Sequence, residues 1–305
     1  MTRLEKKFRR IAQKLTYLEF QAGLSDDISL SLDDLFSDGK PAQRSDLFLG
    51  KFSRDGIALI IKRFGFDQLL RRRGLGKLGI TVDTNDPYRH ILRIYHNAQH
   101  TPDHLVCEFV THQDVLRAKD SLKFGYEFGA IKVLNIEWMT LQNPSLEFLP
   151  TRPALPGQRF PGLGIGDEVL TLLTIMGRSL GVDGLLNVPQ YYHTALMFSK
   201  RFHFVNPKMQ ATVQTITRDL WNRHRLATIA WAIYYECLYD EINQRYFIWE
   251  PEEQLVPVTS MLRKYFQSEE YDQGVNAAMK AMKFRLDEVK FQQALKKHGP
   301  ENLRS

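Results

Sequence analysis

The run from Ala130 to Pro189 constrains the fold more than any other stretch. An apolar, β-branched segment, "AIKVLNIEWMTLQ", is followed by the glycine-rich "LPGQRFPGLGIGDEVL", then by helical spacing, then by the short apolar "GLLNVP". Val169, Leu170, Leu173, Ile175, Met176 and Leu180 supply the apolar face of a helix over 166–180, and Gly181 suits a left-handed stop just beyond it. Before this run, "LGITVDT", "HILRIYHN" and "HLVCEFVTHQ" read as strands, with Asn85-Asp86-Pro87 a turn between the first two. The order is helix, helix, four strands, loop, helix, strand, helix, then a mostly helical remainder. That predicts an α/β (α+β) domain with a mixed central sheet.

The glycine-rich stretch fits a second purpose. A phosphate cradle needs N–H groups converging on one space, no side chains in the way, and a helix N-terminus behind. Alternating glycines supply the first two, because they accept positive φ and lack a Cβ. The helix dipole and its unpaired N–H groups supply the third. Gly162, Leu163, Gly164, Ile165, Gly166 and Asp167 form that loop. The stretch is neither a P-loop nor a dinucleotide fingerprint. Arg71-Arg72-Arg73-Gly74-Leu75-Gly76 fits the same R-x-x-G-x-G pattern as Arg159 to Gly164. It follows a helix and leads into a strand, so it lacks the helix N-terminus that a cradle needs.

The segment 155–205 resembles the acyl-CoA-binding core of the GNAT-type N-acyltransferase superfamily. There an R/Q-x-x-G-x-G/A loop binds the CoA pyrophosphate at a helix N-terminus, and a short strand and second helix follow. "GLGIGDEVLTLLTIMGRSLGVDGLLNVP" matches loop, helix and strand in order, and "TALMFSKRFHF" matches the last helix, with Ala195 and Phe204 aligned. Ser199 stands where the family often has a general-acid Tyr, and His203 replaces the usual Gly before Phe204. Two loop registers compete: with Gly162-Leu163-Gly164 as the glycine pair Arg159 holds the basic position, and with Gly164-Ile165-Gly166 Pro161 does.

The resemblance implies acetyl-CoA or another acyl-CoA as donor, an amine of unidentified structure as acceptor, and direct transfer between them. Glu137 is the general-base candidate, with Glu147 a weaker one; a salt-bridged strand glutamate is the plainer reading of Glu137. Tyr192 and His193, with the neighbouring Tyr191, open the last helix, where a proton donor would stand; packing and capping explain the same residues. Ser199 offers a hydroxyl that is a poor acid. Arg159, and more remotely Arg152, would pair with CoA phosphates. Two alternatives keep the fold: an acyl-carrier-protein-dependent N-acyltransferase, the chain's +6 net charge receiving an acidic carrier, and a non-catalytic GNAT-like acyl-CoA-binding or regulatory protein.

The rest of the sequence narrows the surroundings. Residues 3–22 read as a basic amphipathic helix, 23–46 as a linker, 55–72 as a helix with Asp55 its N-cap, and 190–204 as a helix. "RYFIWEPEEQLVPV" reads as two strands about a turn, and "KAMKFRLDEVKFQQALKKH" as an edge helix. The organisation expected is an N-terminal helix and linker over 1–46, a GNAT-like core over 47–207, and a helical C-terminal extension over 208–305 packed on that core. The two cysteines, Cys107 and Cys237, suit free thiols in a reducing cytoplasm. No apolar run reaches the length of a membrane span and no nucleic-acid motif appears. His96, His100, His104 and Cys107 are explained by a polar turn without a metal. The aromatic run around Trp231, Tyr234, Tyr235 and Tyr239 suits core packing or a homodimer face.

Overall fold

The computed structural model describes residues 2–14, 47–116 and 130–303. The expected linker and the second half of the helix read over 3–22 lie outside the described residues. The protein is a mixed α/β protein that divides into two compact units. One is Met1–Gln113, Ile136–Ser145 and Gly162–Ile175; the other is Asp114–Asn135, Leu146–Pro161 and Met176–Ser305.

In the first unit, α1 (Arg3–Gln13) is opened by a reciprocal capping box. The Glu5 N–H donates to Thr2 Oγ1 and the Thr2 N–H to Glu5 Oε2, which satisfies two donors that the first turn leaves without carbonyls. Its buried Phe8 packs edge-on against Phe64, with ring centroids 4.9 Å apart. The helix expected over 55–72 is two, α2 (Arg54–Arg63) and α3 (Phe66–Arg71). Gly65 separates them at φ +80°, a conformation that other residues rarely adopt. Ser53, not Asp55, is the N-cap of α2: its Oγ accepts the Gly56 N–H at 2.9 Å. Four strands follow in the order β1 (Gly79–Asp86), β2 (Arg89–Tyr95), β3 (Leu105–Leu116) and the Ile136–Leu141 part of β4 (Ile131–Leu141). β1 pairs antiparallel with β2, and β2 with β3. The Gly166–Ile175 part of α4 (Gly166–Leu180) completes this unit.

The second unit carries the Ile131–Asn135 part of β4, with β5 (Gly184–Asn187), β6 (His203–Phe204) and β9 (Gln254–Pro257), in the order β4-β5-β9-β6. The Asp183 N–H donates to the Lys132 carbonyl at 2.7 Å, and the Lys132 N–H to Asp183 Oδ2 at 3.0 Å. So β4 and β5 begin side by side, as parallel neighbours joined through a helix do. β9 is antiparallel to both β5 and β6. β7 (Leu238–Asp240) and β8 (Arg245–Tyr246) pair with each other, and β10 (Phe284–Leu286) joins β7 from the other side. The two strands expected around Glu-Pro-Glu-Glu are β8 and β9, but they enter different sheets.

Among the described residues these strands are accompanied by the helices α5 (Tyr192–Phe198), α6 (Pro207–Leu220), α7 (Leu226–Tyr234), α8 (Ser260–Phe266), α9 (Glu269–Lys280) and α10 (Glu288–His298). α5 stops at Phe198 and β6 follows, so the helix expected over 190–204 is shorter than its apolar spacing implied. Likewise β10 interrupts the expected C-terminal edge helix. The core gathers Val133 and Leu186 from the sheet with Tyr192, Ala195, Ile216, Ile229, Leu255 and Phe291. No helix among the described residues is long and apolar enough to cross a membrane.

Candidate functional site

In the first unit the glycine loop returns to lie against the end of β4 and enters α4. The Leu163 N–H donates to the Leu141 carbonyl at 3.1 Å, and Gln142 bridges Gly162 antiparallel. The loop therefore starts as an extended segment, in which alternate residues face opposite ways. Leu163 and Ile165 are 4% and 3% exposed, while Gly164 lies on the open side. Gly164 has φ +65°, and a Cβ built on it would meet nothing within 4 Å. Gly164 therefore faces open space, a Cβ on Gly162 would lie 3.7 Å from the Leu141 carbonyl oxygen, and the apolar Leu163 and Ile165 hold the loop from below.

α4 begins directly behind. The Val169 N–H donates to the Ile165 carbonyl at 3.1 Å. The first-turn N–H groups have no carbonyl one turn back, and they carry the positive end of the helix dipole. Asp167 and Glu168 lie in this turn. Such carboxylates stabilise a helix N-terminus, by about 0.3–1 kcal/mol, and oppose an incoming anion. Asp167 is exposed, so water screens its charge.

A cation from elsewhere in the unit offsets this. Arg73 Nε donates to the Leu163 carbonyl at 2.7 Å, Nη2 to the Gly164 carbonyl at 3.4 Å, and Nη1 to the Leu69 carbonyl at 3.0 Å. Asn143 Nδ2 in turn donates to the Arg73 carbonyl at 3.1 Å. A guanidinium has five N–H donors and no acceptor. Arg73 thus ties down the loop carbonyls with donors to spare, and turning a carbonyl inward turns N–H groups out. Arg73 belongs to "RRRGLG", the pattern match without a helix behind it. Sequence reasoning missed its role; the signal was an arginine just before Gly74, a residue at φ +80°.

Glu137 lies on β4, upstream of the Leu141 carbonyl that anchors the loop. At a strand's rise the separation is about 13 Å. Both carboxylate oxygens are engaged: Oε2 accepts from Arg89 Nε at 2.6 Å, and Oε1 lies 2.8 Å from His112 Nδ1. A carboxylate partner favours the tautomer with the proton on Nδ1. The hydrogen bond to Glu137 holds the Arg89 guanidinium above its ordinary pKa.

The remaining candidates belong to the second unit. Tyr192 is 2% exposed; burial pushes its hydroxyl up to about 12, against the pull of a 3.4 Å contact with Thr217 Oγ1. His193 is 5% exposed, and burial pulls its imidazole down to about 4. Its Nδ1 meets no hydrogen-bond partner among the described residues. Tyr191 stacks on it at 5.5 Å, and packs so closely on Gly157 that a Cβ there would be 2.7 Å from the ring. Ser199 is the C-cap of α5, its N–H donating to the Leu196 carbonyl. Ala195 and Phe204 are core residues at 0% and 1% exposure. Arg159 is exposed, with its guanidinium 5.3 Å over the Phe160 ring. Arg152 closes a turn on Leu149 and is exposed, as is Glu147.

The histidine run is held locally. His96 Nδ1 lies 3.2 Å from Gly76 and His104 Nδ1 lies 2.8 Å from Thr101 Oγ1. Among the described residues no three His, Cys, Asp or Glu side chains are grouped as a metal would need.

No protein-family model matches this chain, and no curated protein matches it. A solved structure of AtaT complexed with acetyl-methionyl-tRNAfMet is similar over 51% of this chain and 78% of that one, at 12% identity and a TM-score of 0.25. Similarity at that level carries no argument about fold or chemistry.

Proposed function

We propose that the chain is an acyl-CoA-dependent N-acyltransferase with a GNAT-like core, acetyl-CoA the default donor and an amine the acceptor. One observation carries the reading. An extended loop backed by a long helix turns Gly164 to open space, at positive φ and with nothing within 4 Å of where a Cβ would stand. A pyrophosphate fits there: backbone N–H groups reach it, no side chain intervenes, and Arg73 supplies the charge that Pro161 cannot. Gly162, Gly164, Ile165 and Gly166 hold the phosphates, while Leu163, whose N–H is taken by the Leu141 carbonyl, anchors the loop. In this reading Arg159 is a surface residue rather than a ligand.

An acyl-CoA supplies a thioester. In the transfer the amine nitrogen forms the new C–N bond, the C–S bond breaks, and the proton shed by the amine ends on the thiolate. Glu137 and His112 together offer a proton acceptor, with Glu137 orienting the imidazole and Arg89 fixing the carboxylate. The separation of Glu137 from the loop anchor is of the order that a pantetheine arm spans. Tyr192 keeps its proton to about 12 and His193 is neutral above about 4. Neither is matched to proton donation near neutrality, and Ser199 is not an acid.

The engagement of both Glu137 oxygens favours a second reading, an acyl-CoA-binding protein without chemistry. One experiment tests both. The melting temperature of the full chain is measured with CoA, acetyl-CoA and a long-chain acyl-CoA, and thiol release is followed over an amine panel. A ligand that binds the folded state raises Tm by mass action. No shift with any of the three at millimolar concentration sinks both readings; a shift without thiol release favours the second.

A further inference from the structure

Charge is segregated within the first unit. Residues 2–14 and 47–77, which carry α1, α2 and α3, hold fourteen Lys and Arg against three Asp and Glu. The described remainder of that unit, its strands and the start of α4, holds two against seven. The three helices are therefore the basic side of an otherwise acidic unit.

α1 shows how the cations are displayed. Arg3, Lys6, Lys7, Arg10 and Lys14 recur at helical spacing, which sets them on one side of the helix. All five are exposed, and none forms an ion pair among the described residues. The opposite side carries Phe8, 2% exposed, which rests on Phe64 and Phe66 with ring centroids 4.9 and 6.0 Å away. Those two rings bound the junction of α2 and α3, so Lys62 and Arg63, exposed at the end of α2, join the same basic layer. Like charges three and four residues apart repel along a helix. Acids at some of these exposed positions would relieve that repulsion without disturbing the packing beneath.

A regular polyanion turns the repulsion into attraction. A bilayer is the poorer match, because an amphipathic helix binds lipid with its apolar side, and here that side is buried on Phe64 and Phe66. No large apolar side chain of this layer is exposed among the described residues. The layer thus lacks the apolar anchors of a protein interface and the aromatic platforms on which single strands stack. A duplex needs neither. Eight of the fourteen cations are arginines, whose planar fork pairs with phosphate oxygens. From Arg3 to Lys14 the stripe is about 16 Å long at a helix's rise, and one strand of B-DNA sets about five phosphates in that length.

We propose that the α1–α3 layer binds double-stranded DNA through its phosphate backbone, without reading sequence. DNA binding there does not depend on the acyltransferase reading. Residues 15–46 carry seven Asp and Glu against two Lys and Arg, too few to neutralise the layer.

The test follows the fluorescence anisotropy of a labelled DNA duplex of about 20 base pairs, titrated with the full chain at sodium chloride from about 50 to about 200 mM. Each neutralised phosphate contributes about −0.9 to the slope of log affinity against log salt, so five contacts give about −4.5, a loss of about two to three orders of magnitude over that range. Lys6→Gln with Lys7→Gln and Arg10→Gln keeps good helix formers at exposed positions, so Tm should hold. Its slope should flatten to about −1.8, with affinity at low salt at least about tenfold weaker. Lys62→Gln with Arg72→Gln repeats the measurement from α2 and α3 and should flatten the slope too. Lys280→Gln with Lys296→Gln and Lys297→Gln removes the same charge from exposed positions of α9 and α10 and should bind as the wild type does. Equal losses in the two triple variants overturn the proposal, since binding then follows net charge alone. So does an undetectable DNA complex at low salt, or a tighter complex with duplex RNA, the single DNA strand or phosphatidylserine vesicles measured beside it.

Discussion

Arg73 Nε donates to the Leu163 carbonyl at 2.7 Å. One guanidinium thereby joins two stretches of sequence that share the same glycine pattern, one holding and one held. The geometry is planar recognition of neighbouring carbonyls, and a lysine ammonium cannot reproduce it. Arg73→Lys keeps the charge and loses the fork. Hydrogen bonds from a charged donor are worth about 1.5–3 kcal/mol, and each 1.4 kcal/mol is tenfold in affinity. Calorimetric titration with CoA should therefore weaken at least about tenfold, with Tm lower by a few degrees. If Tm falls while CoA affinity stays put, Arg73 is a fold residue only.

Gly164 separates backbone strain from occupancy. A non-glycine residue in the left-handed region costs about 1–2 kcal/mol, and the space around Gly164 is open, so that cost is the whole stability effect. Gly164→Ala and Gly164→Glu should thus destabilise the chain to a similar extent in thermal melts. They should differ in CoA binding: Ala intrudes modestly, while Glu fills the cradle and adds a negative charge. Equal CoA affinities for the two variants would refute the cradle.

Glu137 sits in a surface network, with side chains of Arg89 and Glu137 48% and 31% exposed. Exposed ion pairs contribute roughly 0.2–1 kcal/mol. Glu137→Gln should accordingly leave Tm nearly unchanged and CoA affinity intact, while thiol release falls at least about a hundredfold if this network handles the proton. Unchanged turnover removes Glu137 and its imidazole partner from the chemistry.

The sequence made the local elements legible and left the long-range partners hidden. β1 to β4 announce themselves because β-branched and aromatic residues alternate within each run. α4 does so because its apolar spacing is sustained and Gly181 ends it. β7 does not, because "WAIYYECLYDE" keeps helical spacing past the end of α7; Glu236, at φ +54°, turns the chain there. β10 is too short for periodicity to register, and its identity rests on pairing with Leu238–Asp240. β9 is a strand in its own pattern, yet its insertion between β5 and β6 depends on residues far away in the chain. The candidate site divides the same way. The glycine loop is contiguous and was readable. Arg73 and His112 come from other segments, and no spacing rule links them to the loop.

His193 makes a pH-dependent contribution whose sign is fixed by burial. Its folded-state value is pulled down to about 4 from an ordinary 6.5. Between those two values the unfolded chain binds the proton and the folded chain does not. Stability from this group is therefore full above about 6.5, falls as pH drops toward 4, and changes no further below it. Each pH unit of separation is worth about 1.4 kcal/mol, which puts the upper limit at about 3.5 kcal/mol. His90 and His203 are lowered in the same direction, again by burial, and add to the slope. Urea unfolding at pH 7.5, 6 and 5 should show the loss directly. His193→Phe retains a ring to stack on Tyr191 and removes the titrating group, so its slope over that window should be shallower than the wild type's. An unchanged slope would mean that His193 is charged inside the folded chain or reaches water, contrary to its burial at 5% exposure.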